Sequence, residues 1–280
     1  MILGTPSLGR RVAAEAVGTG ILSLAVIGSG LQAAVLSQDG GVQLLTNTLA
    51  SVCALGVLLA LLGPVSGAHL NPLVTAGLWW TNRGTAQALP GREVLGYAVG
   101  QLVGAGGGAV LAGLMFDRST LGFAHQARTG PAQWTGEVVA TAVLLLVAFG
   151  LGRAGRQRYA PAAVAGWIAA GIWATASGCF ANPALTVGRA LNAGYTGIAP
   201  ASVPGFLLAQ LLGSAIGLGL VRLLFGPGGR RGDGPPDGTG DGSGGSRVVA
   251  RGGLPEQGAE RVAERTVAQT VERTVRPEPA

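Results

Sequence analysis

The sequence predicts an all-α membrane protein: six transmembrane helices and two shorter re-entrant half-helices, built as an inverted three-plus-three repeat. Three observations carry this. First, charge is scarce: of 280 residues, 48% are apolar and only 11% charged, against about a quarter charged in a typical soluble domain. Second, six apolar runs, Val12–Leu31, Leu44–Leu62, Val94–Met115, Trp134–Leu151, Ala160–Ser177 and Val203–Phe225, approach the ~20 residues that a helix needs to cross a bilayer. Third, short motifs in the first three runs recur in the same order in the last three.

Helices are the expected form of these runs, because backbone groups in lipid must be satisfied within the segment. A transmembrane barrel requires alternating strands of about ten residues instead, and none is written here. Two cysteines exclude a disulfide scaffold. Fifty glycines without a G-x-y period exclude collagen. The net charge of +6 raises nucleic acid or an anionic surface as a partner. Its distribution speaks for neither, since residues 1–226 hold eleven arginines and five acids, mostly at the ends of the runs. No nucleic-acid partner is expected, and the lipid bilayer is.

Arginine placement sets the orientation. With the N-terminus inside, ten arginines, Arg10, Arg11, Arg83 and Arg92 among them, fall on inner segments, and Arg118, Arg128 and Arg189 fall outside. The expectation is a multi-pass protein of the cell membrane with both termini cytoplasmic. Arg10-Arg11 ahead of an apolar run also has the look of a leader. Glu15 interrupts that run, which favours a retained first span. The transmembrane domain is expected over 1–226, with halves at about 8–116 and 130–226. Residues 227–280 are expected to be a disordered, charged cytoplasmic tail, because Gly226–Ser246 is too rich in Gly, Pro and Asp to bury a core. Val267, Val271 and Val275 recur at helical spacing, which leaves a partner-binding helix as the alternative.

The repeat has three parts. Ala14-Glu15-Ala16-Val17 matches Gly136-Glu137-Val138-Val139; Ser66 to Gly77, around Asn71-Pro72, matches Ser177 to Gly188, around Asn182-Pro183; Gln101-Leu102-Val103-Gly104 matches Gln210-Leu211-Leu212-Gly213. Three spans per half is an odd number, so the second half sits upside-down relative to the first, a plan known from membrane conduits. Each Asn-Pro segment has only about 10–14 apolar residues, too few to cross, and is expected to be re-entrant. Pro at the first helical position with Asn as N-cap starts a short helix at each. Two such N-termini meeting at the midplane each carry roughly half a positive charge. They repel cations and protons while the asparagines offer donors to a neutral solute.

His69-Leu70-Asn71-Pro72 and Ala181-Asn182-Pro183-Ala184, in inverted halves, resemble the paired Asn-Pro-Ala boxes of the aquaporin, or major intrinsic protein, family. The likeness spans about residues 8–226. It implies an aquaporin-like fold, a homotetramer with one pore per subunit, and passive, downhill passage of small neutral solutes. Leu73 stands where the first box has Ala. In water-selective members an Arg follows the second box's Asn by three residues, and here that residue is Leu185. Spacing assigns the other filter positions to Cys179, Ala170 and Ser51, the last two on the assumption of no gap. A filter of Ser51, Ala170, Cys179 and Leu185 implies a wider, less polar mouth. Arg189, one turn beyond Leu185, is expected to pair at the outer end of its segment. Asn182 to Arg189, followed by Thr196-Gly197-Ile198-Ala199-Pro200, is similar to the bacterial branch associated with arsenic-resistance operons, which implies passage of neutral trivalent arsenic acid (arsenite) beside glycerol and water.

Several residues invite other readings. Glu15 and Glu137 are intramembrane carboxylates, which suggest proton coupling by default. Their symmetric placement suggests that each accepts N–H groups of a re-entrant segment. His69 has no partner at ligand spacing, so no metal is expected, and no cofactor either. Gly96, Gly100, Gly104 and Gly108 recur at four, a stripe for close helix packing. No Walker, G-x-S-x-G or H-E-x-x-H motif occurs, so an enzyme is not expected. The alternatives are a proton-coupled transporter with an inverted repeat, a water or glycerol channel without a metalloid role, and a non-conducting scaffold.

Overall fold

A computed structural model describes residues 6–85, 88–117 and 122–226. The chain divides into two units, Met1–Arg230 and Arg231–Ala280; the expected tail over 227–280 lies outside the described residues, as does Arg118. Eight α-helices occur among the described residues, with no strand: α1 Leu8–Leu36, α2 Gly40–Ser66, α3 Pro72–Thr81, α4 Gly91–Met115, α5 Pro131–Arg153, α6 Ala160–Ala174, α7 Pro183–Arg189 and α8 Val203–Phe225. Single 3-10 turns, Gln157–Tyr159 and Pro200–Ser202, lead into α6 and α8.

Local chemistry starts and stops these helices. Asp39 caps α2, its Oδ1 accepting from the Val42 N–H at 2.8 Å. Gly67 ends α2 in the left-handed region at φ 90°, where glycine carries no Cβ penalty. α1, α2, α4, α5 and the segment Pro200–Phe225 are long and apolar enough to cross a membrane. α6 departs from the expected span Ala160–Ser177: its fifteen residues rise only about 22 Å. The chain leaves the helix at Thr175, whose backbone is extended, and uses the following residues to turn back toward Asn182.

The inverted repeat governs the packing. α1 lies against α4 and α5 against α8. A Cβ on Gly104 would strike the Ala16 carbonyl oxygen, and one on Gly108 the Gly20 carbonyl oxygen. In the other half, Gly213 faces the Val138 carbonyl and Gly217 that of Ala142 in the same way. The glycine stripe therefore has a second copy, and in both halves the absence of a side chain lets two backbones touch. Leu22, Val26, Leu55, Leu144, Val164 and Leu185 form one apolar cluster drawn from both halves. Leu61, Val103, Leu208 and Leu223 remain exposed on the outside, the apolar surface that lipid requires.

Candidate functional site

Two buried carboxylates hold the irregular backbone before each half-helix. Glu15 on α1 is fully buried. Its Oε1 accepts from Ser66 Oγ at 2.7 Å and the His69 N–H at 2.9 Å; its Oε2 accepts from the Leu70 N–H at 2.6 Å and Gln101 Nε2 at 2.8 Å. Glu137 on α5 repeats this, accepting from the Phe180 N–H at 2.8 Å, the Ala181 N–H at 2.9 Å and Gln210 Nε2 at 2.6 Å. Each glutamine also donates to the half-helix behind it, Gln101 to Thr75 Oγ1 at 3.1 Å and Gln210 to Thr186 Oγ1 at 2.9 Å. Saturating a buried carboxylate with three or four donors is how a charge is accommodated inside a protein.

The backbone so held is strained. Ala68 and Leu70 lie at φ 46° and 49°, Cys179 and Ala181 at φ 53° and 46°. These are left-handed values at residues bearing a Cβ, costing of order 1–3 kcal/mol each. Sequence reasoning missed them, since nothing in the letters Ala, Leu or Cys marks a left-handed turn. The signal that could have found them is Gly67 and Gly178, which open the two segments at φ 90° and 74°.

At the head of each half-helix the box asparagine is used twice. Asn71 Oδ1 accepts from the Leu73 N–H at 2.9 Å, and Asn182 Oδ1 from Ala184 at 3.0 Å and Leu185 at 3.3 Å. These are N-caps, with Pro72 and Pro183 at the first helical turn. Asn71 Nδ2 then donates across to the Ala181 carbonyl at 2.8 Å, and Asn182 Nδ2 to the Leu70 carbonyl at 2.7 Å. Each box thus grips the segment before the other box and fixes the two helix N-termini head to head. An amide nitrogen has two hydrogens, so each asparagine keeps one beyond this cross-bond.

Both asparagines border a cavity of about 990 Å³. Ser51 lines it, within the α2 stripe Asn47, Ser51, Leu55 and Leu59; so do His69, Cys179, Leu185 and Arg189. The Ser51 hydroxyl is buried and has no hydrogen-bond partner among the described residues. Ala170 is not on this wall: α6 presents Val164, Ile168 and Ile172 to the cavity, and Ala170 is exposed elsewhere on the helix. Counting twelve residues back from Asn182 misses the wall because the count runs through the non-helical stretch 175–181. Pro72, Leu73, Pro183 and Ala184 are packed behind the asparagines rather than along the cavity. His69 Nδ1 lies 3.0 Å from Thr75 Oγ1 and its ring 5.1 Å from that of Tyr97.

The cavity mouth beside Leu185 departs most from the sequence reading. Leu185 is apolar, yet two guanidiniums line the cavity there. Arg189 Nε donates to the Thr196 carbonyl at 2.5 Å, and its Cζ sits 3.3 Å over the Phe180 ring. Arg128, from the stretch before α5, donates to the carbonyls of Gly197 at 2.8 Å, Tyr195 at 3.0 Å and Ser177 at 3.5 Å; its Cζ lies 5.2 Å from the same ring. Burial pulls the Arg128 guanidinium below its ordinary value, with Glu137 and Tyr195 pulling the other way, but an arginine remains charged at neutral pH. In the sequence Arg128 was only an outer-loop charge. The mouth is therefore cationic, where the filter positions alone implied a loss of charge.

Known proteins match this arrangement. The family model for "Major intrinsic protein" matches residues 3–175. The chain is 42% identical over 220 residues to aquaglyceroporin AqpS of Rhizobium meliloti (strain 1021), covering 79% of this chain and 92% of that protein. It is 34% identical over 217 residues to aquaporin AqpM of Methanothermobacter marburgensis, covering 66% of this chain and 84% of that protein. Among solved structures, the aquaglyceroporin from Plasmodium falciparum shares the fold at a TM-score of 0.60 and 20% identity, covering 79% of this chain and 96% of that one. With a matching family model, a relative 42% identical over 92% of its own length and the shared fold, this chain belongs to the major intrinsic protein family.

Proposed function

We propose that the protein is a passive transmembrane channel for small neutral solutes, glycerol and water foremost, that excludes ions and protons. The observation that carries this is the pair Asn71 and Asn182, locked head to head over the cavity with one amide hydrogen each to offer. The two helix N-termini behind them put positive potential at the midplane, which a neutral hydroxyl solute tolerates and a cation does not. The names of the aquaglyceroporin and aquaporin relatives support the solute class. Ser51, Cys179 and Leu185, with Ile172 in place of Ala170, set the width of the outer half. No catalytic step is assigned to any residue.

Glu15 and Glu137 speak for a channel and against proton coupling: neither borders the cavity, and both spend their oxygens on holding backbone. The arginine distribution supports a topology with both termini in the cytoplasm and the spans in the cell membrane, and the family resemblance supports a homotetramer. A second reading, passage of neutral trivalent arsenic acid, is favoured by the segment Asn182–Arg189 with Thr196–Pro200 and by the likeness of that acid to a small polyol.

Stopped-flow light scattering of proteoliposomes tests the first reading. Water and glycerol should equilibrate faster than in protein-free vesicles, without dependence on a proton gradient; collapse of uptake with a protonophore overturns it. Arsenite uptake in the same vesicles tests the second, and robust glycerol flux without arsenite flux sinks it.

A further inference from the structure

Arg189 is placed to do more than tether a loop. Its Nε is committed to the Thr196 carbonyl, but its two terminal nitrogens make no hydrogen bond among the described residues, and the side chain borders the cavity. Its plane is fixed by the Phe180 ring beneath it, itself packed at 5.1 Å on Phe206. Arg128 is complementary: its donors are spent on three carbonyls, so it contributes charge and holds the 195–197 loop on which Arg189 leans. Because both guanidiniums lie against one ring, they are closer together than one Debye length, about 10 Å at 0.1 M salt. Inward of them, Leu185 and Ile172 make an apolar collar.

We propose that Arg189, backed by Arg128, is the specificity-determining group of the outer mouth, acting one helical turn outside the apolar Leu185 position. A guanidinium only donates, so it selects solutes that present acceptor oxygens, namely neutral hydroxyl compounds whose carbon skeletons then pass the collar. Small cations, ammonium and hydronium included, bring no acceptor that offsets the repulsion of two adjacent positive charges. The recognised class is thus neutral polyhydroxy molecules, and the cation barrier has an outer component separate from the asparagine pair. This rests on the channel reading above.

The test uses the full chain in proteoliposomes, with water and glycerol flux followed by scattering and proton and ammonium leak by an entrapped pH dye. Arg189→Leu should raise the cation leak, normalised to the variant's own water flux, about tenfold, the order expected for removing one unit charge from a partly screened mouth. Arg189→Lys should restore exclusion, and the double variant Arg189→Leu with Leu185→Arg should also restore it. An Arg189→Leu channel that passes water and excludes cations as the parent does overturns the proposal alone. Parent vesicles that pass water and glycerol no faster than empty ones overturn both this proposal and the channel reading. If Arg189→Leu does not fold, phenylglyoxal labelling of the unaltered protein decides, with sites mapped by mass spectrometry. Labelling of Arg189 that glycerol protects, with raised cation leak after labelling, supports it; absence of labelling, or labelling without change in leak, overturns it.

Discussion

The two re-entrant segments share a skeleton and differ in chemistry. In the first one Glu15, Gln101 and Thr75 brace the backbone, and in the second one Glu137, Gln210 and Thr186 do the same with nearly equal distances. The side chains hung on that skeleton diverge. His69 in the first segment corresponds to Phe180 in the second, Leu78 to Arg189, and Val74 to Leu185. Two left-handed residues and one carboxylate are needed in each half, because each must bring a helix N-terminus to meet the other. The surface hung on the skeleton is under no such demand: in one segment it is an aromatic ring against which two guanidiniums lie, and in the other a polar, half-buried histidine.

The equivalence can be broken by experiment. The largest effect is expected from Glu15→Gln and Glu137→Gln, each of which sets an amide donor against buried N–H groups and should cost about 3 kcal/mol or more. Glu15 serves four donors and Glu137 three, so thermal unfolding in detergent should show the larger loss at Glu15; the reverse order would separate the two halves. Next come Gly104→Ala and Gly213→Ala. Both drive a Cβ onto a facing carbonyl, an overpacking worth about 1–3 kcal/mol, and the two melting shifts should be similar.

Smaller effects sharpen the difference instead. Leu185→Arg narrows the collar and should cut glycerol flux several-fold more than water flux; equal reduction of both would remove the size argument. Ile172→Ala should raise glycerol flux, whereas Ala170→Leu should leave both fluxes unchanged because Ala170 is off the cavity wall. A marked change at Ala170 would return the filter to the counted position.

The repeat, the half-helices and the hold of each glutamate on its re-entrant backbone were legible because each depends on residues near in sequence or repeated in order, whereas the part Gln101 and Gln210 play in that bracing came only with the structure. Asn-Pro writes its own cap, and apolar length writes a span. The shortened α6, the placement of Ile172 and the left-handed residues were not legible. They depend on where the chain stops being helical, and the backbone there is fixed by a carboxylate on another helix rather than by its own side chains.

By itself the sequence determined the membrane class, the inverted repeat and the pairing of two Asn-Pro boxes, since hydropathy and capping act over one or two turns. Only the tertiary structure decided which residues face the cavity and what charge its mouth carries. Arg128 is sixty-one residues before Arg189 in the chain, and both reach the Phe180 ring only once three separate loops are held together by carbonyl hydrogen bonds. Electrostatics acts through space, and the loss of arginine at position 185 says nothing about cations that folding brings in from elsewhere.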